Sequence, residues 1–356
     1  MNYAEDFPIL QTCTYLNTAN SGLLSKPLAL WRSQHDEAFM QGGSMFRAEN
    51  LRVMEDLRSN LAATFSVNQE NTFLSPNFSS GFNAILDGLG QQHRVLLLGE
   101  DYPSVSYPVS SRGYPFLEVK IDENLEENIL QAIDRFRPSI FAFSMVQYIS
   151  GLRMQSDFIL KLKATYPELQ LIADGTQFLG TGPFDFNASG LDILIGSGYK
   201  WLLGGYGNGY IFLSDNAKEQ LFENRKNMSL PTAPFLHGRA YTSLALEPGH
   251  LDSLNFGSLN VSISYLNKIG LDKIASQNMD LTNQARLALE NKGFLPAWML
   301  QRKEQSTIIS MALNDSQIDK LKNANISCSP RGTGTRISFH YYNTKHDLEH
   351  LLDTLA

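Results

Sequence analysis

The chain has 356 residues, 43% of them hydrophobic, and a formal net charge of -7; it can bury the core of a large globular domain with a smaller one beside it, and it lacks the basic surface of a nucleic-acid-binding protein. The acidic start of the chain and the absence of an apolar run of about 20 residues exclude a signal peptide and a membrane span, which predicts a soluble cytoplasmic protein. The only two cysteines, Cys13 and Cys328, exclude a disulfide framework, a four-cysteine zinc site and an iron–sulfur cluster held by this chain alone, and no metal site is predicted.

The first 65 residues predict a loop followed by two helices. Residues 13–24 are rich in turn-forming residues, which favours a loop. Ser25 is suited to cap the first helix, whose apolar face includes Trp31 and Phe39. An apolar stripe at helical spacing predicts the second helix over residues 49–65.

A cluster of hydroxyl and amide side chains marks residues 71–86, where a strand gives way to an amphipathic helix. Free backbone amides and the positive end of the helix dipole make such a junction a natural phosphate site. Ordinary N-capping by Ser79 or Ser80 explains the hydroxyls equally well.

Strands then alternate with helices, which implies right-handed crossovers and a mostly parallel sheet. The predicted elements are strands 94–99 and 115–121, helix 125–136, strand 139–145, helix 156–164 and strands 169–173, 191–195 and 210–213. Residues 223–255 contain few periodic runs and are predicted to be functional or disordered. Beyond them, helices over 261–292 precede an α+β tail with strands 306–311, 326–328 and 335–340, helix 316–323 and a helix after residue 344.

Two of these strands end in functional side chains. Asp174 ends strand 169–173, and Lys200 follows strand 191–195 after a Gly-Ser-Gly turn, between two aromatic residues. Ligands of open parallel sheets gather at the carboxyl ends of the strands, so both side chains should face one crevice. A poorly solvated lysine is a good nucleophile that can form a Schiff base with a carbonyl compound. The pair suits pyridoxal phosphate, with the lysine on the aldehyde carbon and the carboxylate keeping the pyridine nitrogen protonated.

Asp174-Gly-Thr-Gln177 followed by Ser197-Gly-Tyr-Lys200-Trp201-Leu202 resembles the class V aminotransferase family of fold-type I pyridoxal phosphate (PLP) enzymes. This family includes cysteine desulfurases, kynureninases and isopenicillin N epimerase-like proteins. The resemblance implies an α/β fold with a mostly parallel central sheet in a large domain and a smaller α+β C-terminal domain. It divides the chain into an N-terminal segment at 1–20, a large domain at 21–250 and a small domain at 251–356, and it implies a homodimer with shared active sites.

The resemblance also assigns roles to single residues. Lys200 would be the catalytic residue, while Asn20, beside Thr18 and Ala19 at the pocket mouth, and Arg336 would bind the substrate. The remaining cofactor-binding candidates are Phe78 (through its backbone amide), Ser79, Tyr102 (stacking on the ring), Asp174, Gln177, Ser197, Tyr199 and Ser258.

Several of these assignments leave alternatives open. Tyr102 could be a structural tyrosine in a turn. Ser258, in a segment that resembles the family's "GTPN" turn reaching the partner subunit's cofactor, could instead cap a helix. Either Gln147 or Tyr148 could contact the ring oxygen. An isolated strand arginine is usually part of a surface ion pair, so the role of Arg336 rests on the resemblance.

The first functional prediction is amino-group transfer on an α-amino acid or related amine. Alternatives are epimerisation or racemisation, and cysteine desulfuration or selenocysteine cleavage, for which Cys328 would be the only nucleophilic cysteine available. A non-catalytic PLP-binding scaffold is the alternative from another class. The substrate side chain is not predicted; Arg239 and Arg331 are the candidates for binding a distal carboxylate.

Overall fold

The computed structural model describes residues 3–230, 232–233, 236 and 238–356. Its strands are β1 (Thr14–Tyr15), β2 (Thr72–Ser75), β3 (Val95–Leu98), β4 (Phe116–Val119), β5 (Ile140–Ser144), β6 (Gln170–Asp174), β7 (Ile193–Ser197), β8 (Gly209–Leu213), β9 (Ile308–Met311), β10 (Ile326–Ser327), β11 (Ser329–Arg331) and β12 (Gly334–Ser338). The predicted strands of the alternating region are confirmed, with ends that shift by at most two residues.

The helices of the described residues include the two predicted near the N-terminus. They are α1 (Lys26–Gly42), α2 (Ser44–Phe65), α3 (Phe78–Leu89), α4 (Pro103–Ser111), α5 (Leu125–Phe136), α6 (Ser156–Thr165), α7 (Asp215–Gln220), α8 (Tyr241–Leu246), α9 (Ser253–Ile269), α10 (Leu271–Asn291), α11 (Ala297–Leu300), α12 (Asp315–Asn323) and α13 (Lys345–Thr354). Ser25 caps α1 as predicted, accepting a hydrogen bond from the amide of Leu28. The second helix begins earlier than predicted, at Ser44.

The main sheet has seven strands in the order β2-β8-β7-β6-β5-β3-β4. Neighbours from β7 to β4 are parallel, whereas β8 runs antiparallel to both β2 and β7. Alternate side chains of β3 enter two apolar clusters, one containing Leu96 and the other Leu97. Helices therefore cover both faces of the sheet, which confirms the predicted mostly parallel α/β architecture.

A second, smaller β structure lies in the C-terminal part of the chain. Strands β11, β12 and β9 form an antiparallel sheet, and β10 pairs in parallel with β1 near the N-terminus. Asn17 makes a further bridge to Ser338. Residues 14–17 thus pair with strands that belong to the last hundred residues of the chain. The division at residues 20 and 250 stays a prediction.

The segment that resembles a "GTPN" turn has a different conformation. Residues 254–260 lie inside helix α9, whose N-cap is Asp252, and Ser258 is completely buried. The predictions of a turn and of a helix cap at Ser258 are therefore both wrong. The serine is accommodated inside the helix because its hydroxyl donates to the carbonyl of Leu254, 2.6 Å away.

The region 223–255 contains more regular structure than its sequence pattern predicts. It holds a short 3-10 helix at Glu223–Arg225 and helix α8, although residues 231, 234, 235 and 237 lie outside the described part. In the described chain, no helix has both the length and the apolar character that crossing a membrane requires.

The carboxylate of Glu247 joins three parts of this fold. It is 3% exposed, and it accepts hydrogen bonds from Arg58 on α2 at 2.6 Å and from the amide of Leu74 on β2 at 2.7 Å. Arg239 lies 3.7 Å away. Removing this carboxylate would leave Arg58 and the Leu74 amide without their partner.

We expect Glu247→Ala to lower the free energy of unfolding by about 3–5 kcal/mol, because the variant breaks a largely buried charge pair. The control is Asp87→Ala, which removes a carboxylate whose side chain is 58% exposed and pairs with Arg112; it should cost less than about 1 kcal/mol. Urea unfolding of both variants measures the difference. Equal losses would show that Glu247 does not link these elements.

Candidate active site

A cavity of about 570 Å³ opens at the carboxyl ends of β5, β6 and β7. Its volume falls in the range of small-molecule sites. It is lined by Pro76, Asn77, Phe78, Ser79, Ser80, Tyr102, Ser144, Tyr148, Asp174, Thr176, Gln177, Ser197, Tyr199, Lys200, Tyr206 and Gly207. All eight cofactor-binding candidates outside residue 258 lie in this lining, so the fold brings together residues that are up to 122 positions apart in the sequence.

Lys200 is buried, with 8% of its surface exposed. Its Nζ lies 5.4 Å from the ring centroid of Tyr199 and 5.9 Å from that of Tyr102, and it forms no ion pair with any described carboxylate. Burial lowers the pKa of Lys200 well below that of a solvated lysine, and the charge of Asp174 opposes part of this shift. The amine is therefore available as a nucleophile or a base near neutral pH.

The N-terminal segment covers the backbone of this lysine. The amide of Gly22 donates to the carbonyl of Tyr199 at 2.9 Å. A Cβ on residue 22 would lie 2.1 Å from the carbonyl oxygen of Lys200, so only glycine permits this approach.

Asp174 ends β6 beside the lysine. Its Oδ1 accepts the amide of Thr176 at 2.8 Å. Burial raises the pKa of Asp174, while the hydrogen bonds from Thr176 and the charge of Lys200 act in the opposite direction. A partner that brings a protonated nitrogen to this carboxylate would stabilise its charged form.

A second buried carboxylate, Asp101, stands behind the cavity wall. It accepts hydrogen bonds from the amides of Tyr102 at 2.7 Å and Ser144 at 2.8 Å, and from the Ser144 hydroxyl. Burial raises its pKa, and its charge in turn raises that of Asp174. Sequence reasoning missed this residue, although an acid shortly after a buried strand and directly before Tyr102 was a usable signal.

The start of helix α3 forms one end of the cavity. The amide of Phe78 donates to the Ser197 hydroxyl at 2.9 Å, and Ser79 donates through its hydroxyl to Ser104 at 2.8 Å. Asn77, not either of the two serines, is the N-cap, because its Oδ1 accepts the amide of Ser80. The predicted alternative of capping by Ser79 or Ser80 is therefore wrong.

Hydrogen bonding distinguishes Gln147 from Tyr148, whereas the contact of either residue with the ring oxygen stays a prediction. Gln147 donates to the carbonyl of Glu100 at 2.8 Å and accepts the amides of Ile149 and Ser150, so its oxygen supports the local turn and its nitrogen binds the segment after β3. Tyr148 lines the cavity and meets Tyr102 edge to face, with ring centroids 5.3 Å apart. The cavity-facing member of the pair is Tyr148.

Gln177 connects the cavity to the N-terminal segment. Its Nε2 donates to the carbonyl of Ala19 and its Oε1 accepts the indole N–H of Trp201, both at 2.8 Å. Tyr199 stacks on Tyr206 with ring centroids 4.9 Å apart. These contacts hold the residues on both sides of Lys200 in place.

Arg336 is 2% exposed and has no carboxylate partner among the described residues. Its Nη1 donates to the carbonyl of Tyr148 at 2.5 Å, whereas its Nε has no hydrogen-bond partner. Burial lowers its pKa to about 10, and the neighbouring charge of Arg331 acts in the same direction. It is thus not the surface ion pair that an isolated strand arginine usually forms, and it has an unused hydrogen-bond donor.

The other predicted residues lie around or outside the cavity. Asn20 is exposed and accepts a hydrogen bond from Arg331 at 2.8 Å. The Ser258 hydroxyl accepts from Arg32 at 3.0 Å; a contact of Ser258 with a partner subunit's cofactor stays a prediction. Cys328 packs against the apolar core of the C-terminal sheet, and burial raises the pKa of its thiol.

Residues 33–351 match the family described as aminotransferase class-V. The chain belongs to the class-V aminotransferase family. This confirms the resemblance predicted from Asp174, Gln177 and Lys200, and with it pyridoxal phosphate as the cofactor of this class-V enzyme.

Relatives of this class-V protein carry different activities in their names. An uncharacterized aminotransferase of Bacillus subtilis is 21% identical, with 99% of this chain and 96% of the relative covered. A probable cysteine desulfurase of Methanothermobacter thermautotrophicus is 21% identical, with 98% and 96% covered. The isopenicillin N epimerase of Streptomyces clavuligerus is 24% identical, with 62% and 60% covered.

Solved structures share the fold of this class-V protein at 16% sequence identity. A C-DES mutant with glycine covalently linked to its PLP cofactor has a TM-score of 0.88, with 99% of this chain and 98% of that chain covered. The complex of the cystine C–S lyase C-DES with cysteine persulfide has a TM-score of 0.87, with 98% of each chain covered. An apo cysteine desulfurase from Thermococcus onnurineus has a TM-score of 0.83, with 99% and 96% covered. These likenesses confirm the predicted fold class.

We expect the Lys200 amine of the cofactor-free protein to undergo reductive methylation at neutral pH, where a solvated lysine with a pKa of about 10.4 is almost fully protonated. Because burial lowers the pKa of Lys200, its methylation rate should level off at a lower pH than that of exposed lysines. Peptide mass spectrometry across a pH series measures the rates, with Lys120, whose side chain is 82% exposed, as the internal control. The same pH profile for both residues would contradict the burial argument.

Proposed function

We propose that this protein is a catalytically active PLP-dependent enzyme that transfers the amino group of an α-amino acid, with Lys200 as its catalytic residue. The single observation that carries the proposal is a buried amine without an ion pair in the cavity lining, together with a buried guanidinium without a carboxylate that donates to the carbonyl of the cavity-lining Tyr148. A non-catalytic scaffold would have no use for both. Burying such groups costs free energy, which a bound anionic substrate would offset.

The residues of the cavity fit the cofactor. Lys200 would hold the aldehyde carbon, Asp174 the ring nitrogen, and Tyr102 one face of the ring. The start of helix α3, with Ser79 and with Ser197 and Tyr199 opposite, would hold the phosphate, because helix N-termini favour anions. When bound, the cofactor supplies an electron sink that makes the α-proton of an amino acid acidic.

The protein's own groups would then position the substrate and move its proton. Arg336 can hold both oxygens of the α-carboxylate in the plane of its guanidinium. The Nζ of Lys200, whose pKa is lowered by burial, takes the α-proton as a general base. The carbon and the face to which the proton returns determine whether the outcome is transamination or epimerisation.

A lyase acting on a sulfur-containing amino acid is the second candidate. The likeness to the cystine C–S lyase C-DES, with a TM-score of 0.87, favours it. Desulfuration by a nucleophilic cysteine has less support, because Cys328 packs against the core of the C-terminal sheet and burial raises the pKa of its thiol.

We expect one amino acid to convert the visible absorbance of the PLP-loaded protein into that of pyridoxamine phosphate, with release of its keto acid. The protein is incubated with each amino acid separately while spectra and products are recorded. Lys200→Ala should lose the starting absorbance and the reaction but keep the unfolding midpoint within error. Accumulation of sulfide or of the opposite enantiomer without pyridoxamine phosphate would replace transfer by lyase or epimerase activity.

We further propose that the protein acts in the cytoplasm as a homodimer with shared active sites. An apolar patch on α1 and α2 supports this, since Phe39, Met40 and Met45 are 57%, 81% and 70% exposed. Apolar side chains this exposed and this close together usually mark an interaction surface. At the cavity mouth, Tyr206 is also 65% exposed, which suits a site that a second copy completes.

We expect Met40→Glu to shift the protein from dimer to monomer, because a charge in the apolar patch would lose its hydration on association. Sedimentation velocity at several concentrations measures the shift. The control is Leu160→Glu, which places the same charge on helix α6, where Leu160 is 46% exposed. A monomeric wild-type protein, or equal behaviour of both variants, would rule out this interface.

A further inference from the structure

Resting on the proposed function, we propose that Arg331 binds a second anionic group on the substrate, so that the preferred substrate is an amino acid whose side chain carries a carboxylate. Of the two candidates for a distal carboxylate, the structure excludes Arg239, since it donates to two carbonyls near Glu247 and lies 3.7 Å from its carboxylate. Arg331 forms no ion pair with a described carboxylate.

The hairpin β11–β12 places both arginines on one face. Ser329 lies opposite Arg336, and Arg331 lies opposite Gly334. Because side chains alternate along a strand, Arg331 and Arg336 are diagonal neighbours on the same face, a separation of about 7–8 Å. Gly334 lies opposite Arg331, and the position of its missing side chain is filled by the Ser310 hydroxyl, 2.5 Å from where a Cβ would lie.

The other contacts of the hairpin direct this face toward the cavity. Arg336 donates to the carbonyl of Tyr148, which lines the cavity, and Arg331 donates to Asn20. Arg331 also lies near enough to Lys200 for its charge to lower the pKa of that amine. The two guanidinium groups thus lie within electrostatic range of the Lys200 amine.

The difference in exposure between Arg336 and Arg331 indicates which substrate carboxylate each arginine binds. Arg336 is 2% exposed, close to Tyr148 and the cavity lining, and suits the α-carboxylate next to the reacting carbon. Arg331 is half-buried at the tip of the hairpin, and one of its Nη atoms is held by Asn20. It suits a group that extends from the substrate side chain toward the mouth.

This assignment also gives Asn20 a role. Its Oδ1 fixes Nη2 of Arg331 at 2.8 Å, while Nη1 donates to the carbonyl of Pro330 at 2.8 Å. Each nitrogen of the guanidinium has a further N–H for a carboxylate. Asn20 is therefore a positioning residue for the second anion, and we do not place it against the α-carboxylate.

The experiment compares amino acids of the same length that differ in charge. L-glutamate is paired with L-glutamine, and L-aspartate with L-asparagine; L-cystine tests a second carboxylate beyond a disulfide, and L-alanine has no second anion. The concentration that gives half of the visible absorbance change of the PLP-loaded protein is measured for each. The variants are Arg331→Gln and Arg331→Lys, with Arg94→Gln as the control.

Arg94 is exposed and precedes β3, at the end of the sheet opposite the cavity, so its substitution removes the same charge without touching the site. We expect the wild-type protein to have a lower half-saturation concentration for the amino acid of each pair that carries the side-chain carboxylate. Arg331→Gln should raise its half-saturation concentration about 10–100-fold, as the loss of hydrogen bonds to a charged group does. The half-saturation concentration of Arg331→Lys should lie between those of wild type and Arg331→Gln. For L-glutamine, L-asparagine and L-alanine the half-saturation concentration should change by less than about two-fold, and the same holds for every amino acid with Arg94→Gln.

The outcomes separate the two proposals. Dependence on Arg331 for glutamate or aspartate would support an acidic amino donor, and dependence for cystine alone would support the disulfide substrate of a lyase; both support the second-anion site. Equal losses for charged and neutral substrates, or no loss, would overturn it while leaving the proposed function intact. A wild-type protein whose spectrum responds to no amino acid would overturn the proposed function, and this inference with it.

Discussion

The charge of one buried amine determines how the rest of the site is built. Lys200 lies at the carboxyl end of the sheet, 8% exposed and without an ion pair among the described residues. Removing an ammonium group from water is costly, so the neutral form gains population. The nearest opposing influence is Asp174, which is itself buried and raised in pKa. The fold thus keeps the Lys200 amine buried, although burial disfavours its charged form.

Contacts between residues that are distant in the sequence bury Lys200. The N-terminal segment pairs with β10 and with Ser338, and its Ala19 carbonyl accepts from Gln177 beside the lysine. Gly22 lies directly on the backbone of Lys200. The N-terminal segment therefore joins the large sheet to the small C-terminal one, and the cavity wall depends on both.

The acidic residues and the arginines near the cavity lie on different elements of the fold. Asp174 and Asp101 follow the central strands, while Arg336 and Arg331 extend from the β11–β12 hairpin. Neither arginine is neutralised by a described carboxylate. Under the proposed function, an amino acid brings an anionic carboxylate and an amine, and this separation of charge would orient it before any proton moves. Orientation of this kind links the fold to the amino-acid chemistry of the family.

The sequence by itself determined the alternating strands and helices, the lysine and aspartate at the strand ends and the family, because apolar periodicity and strand-end chemistry are local signals. It could not determine that residues 254–260 are helical, since a Gly-Ser pair there suits a turn equally well, nor that the amide of Gln147 bonds both its own turn and the distant carbonyl of Glu100. The contacts that position Asp101 and Arg331 include neighbours more than 40 and 300 positions away, Ser144 and Asn20. The tertiary structure decided these points because burial and hydrogen-bond partners belong to the packed chain, not to any segment of it.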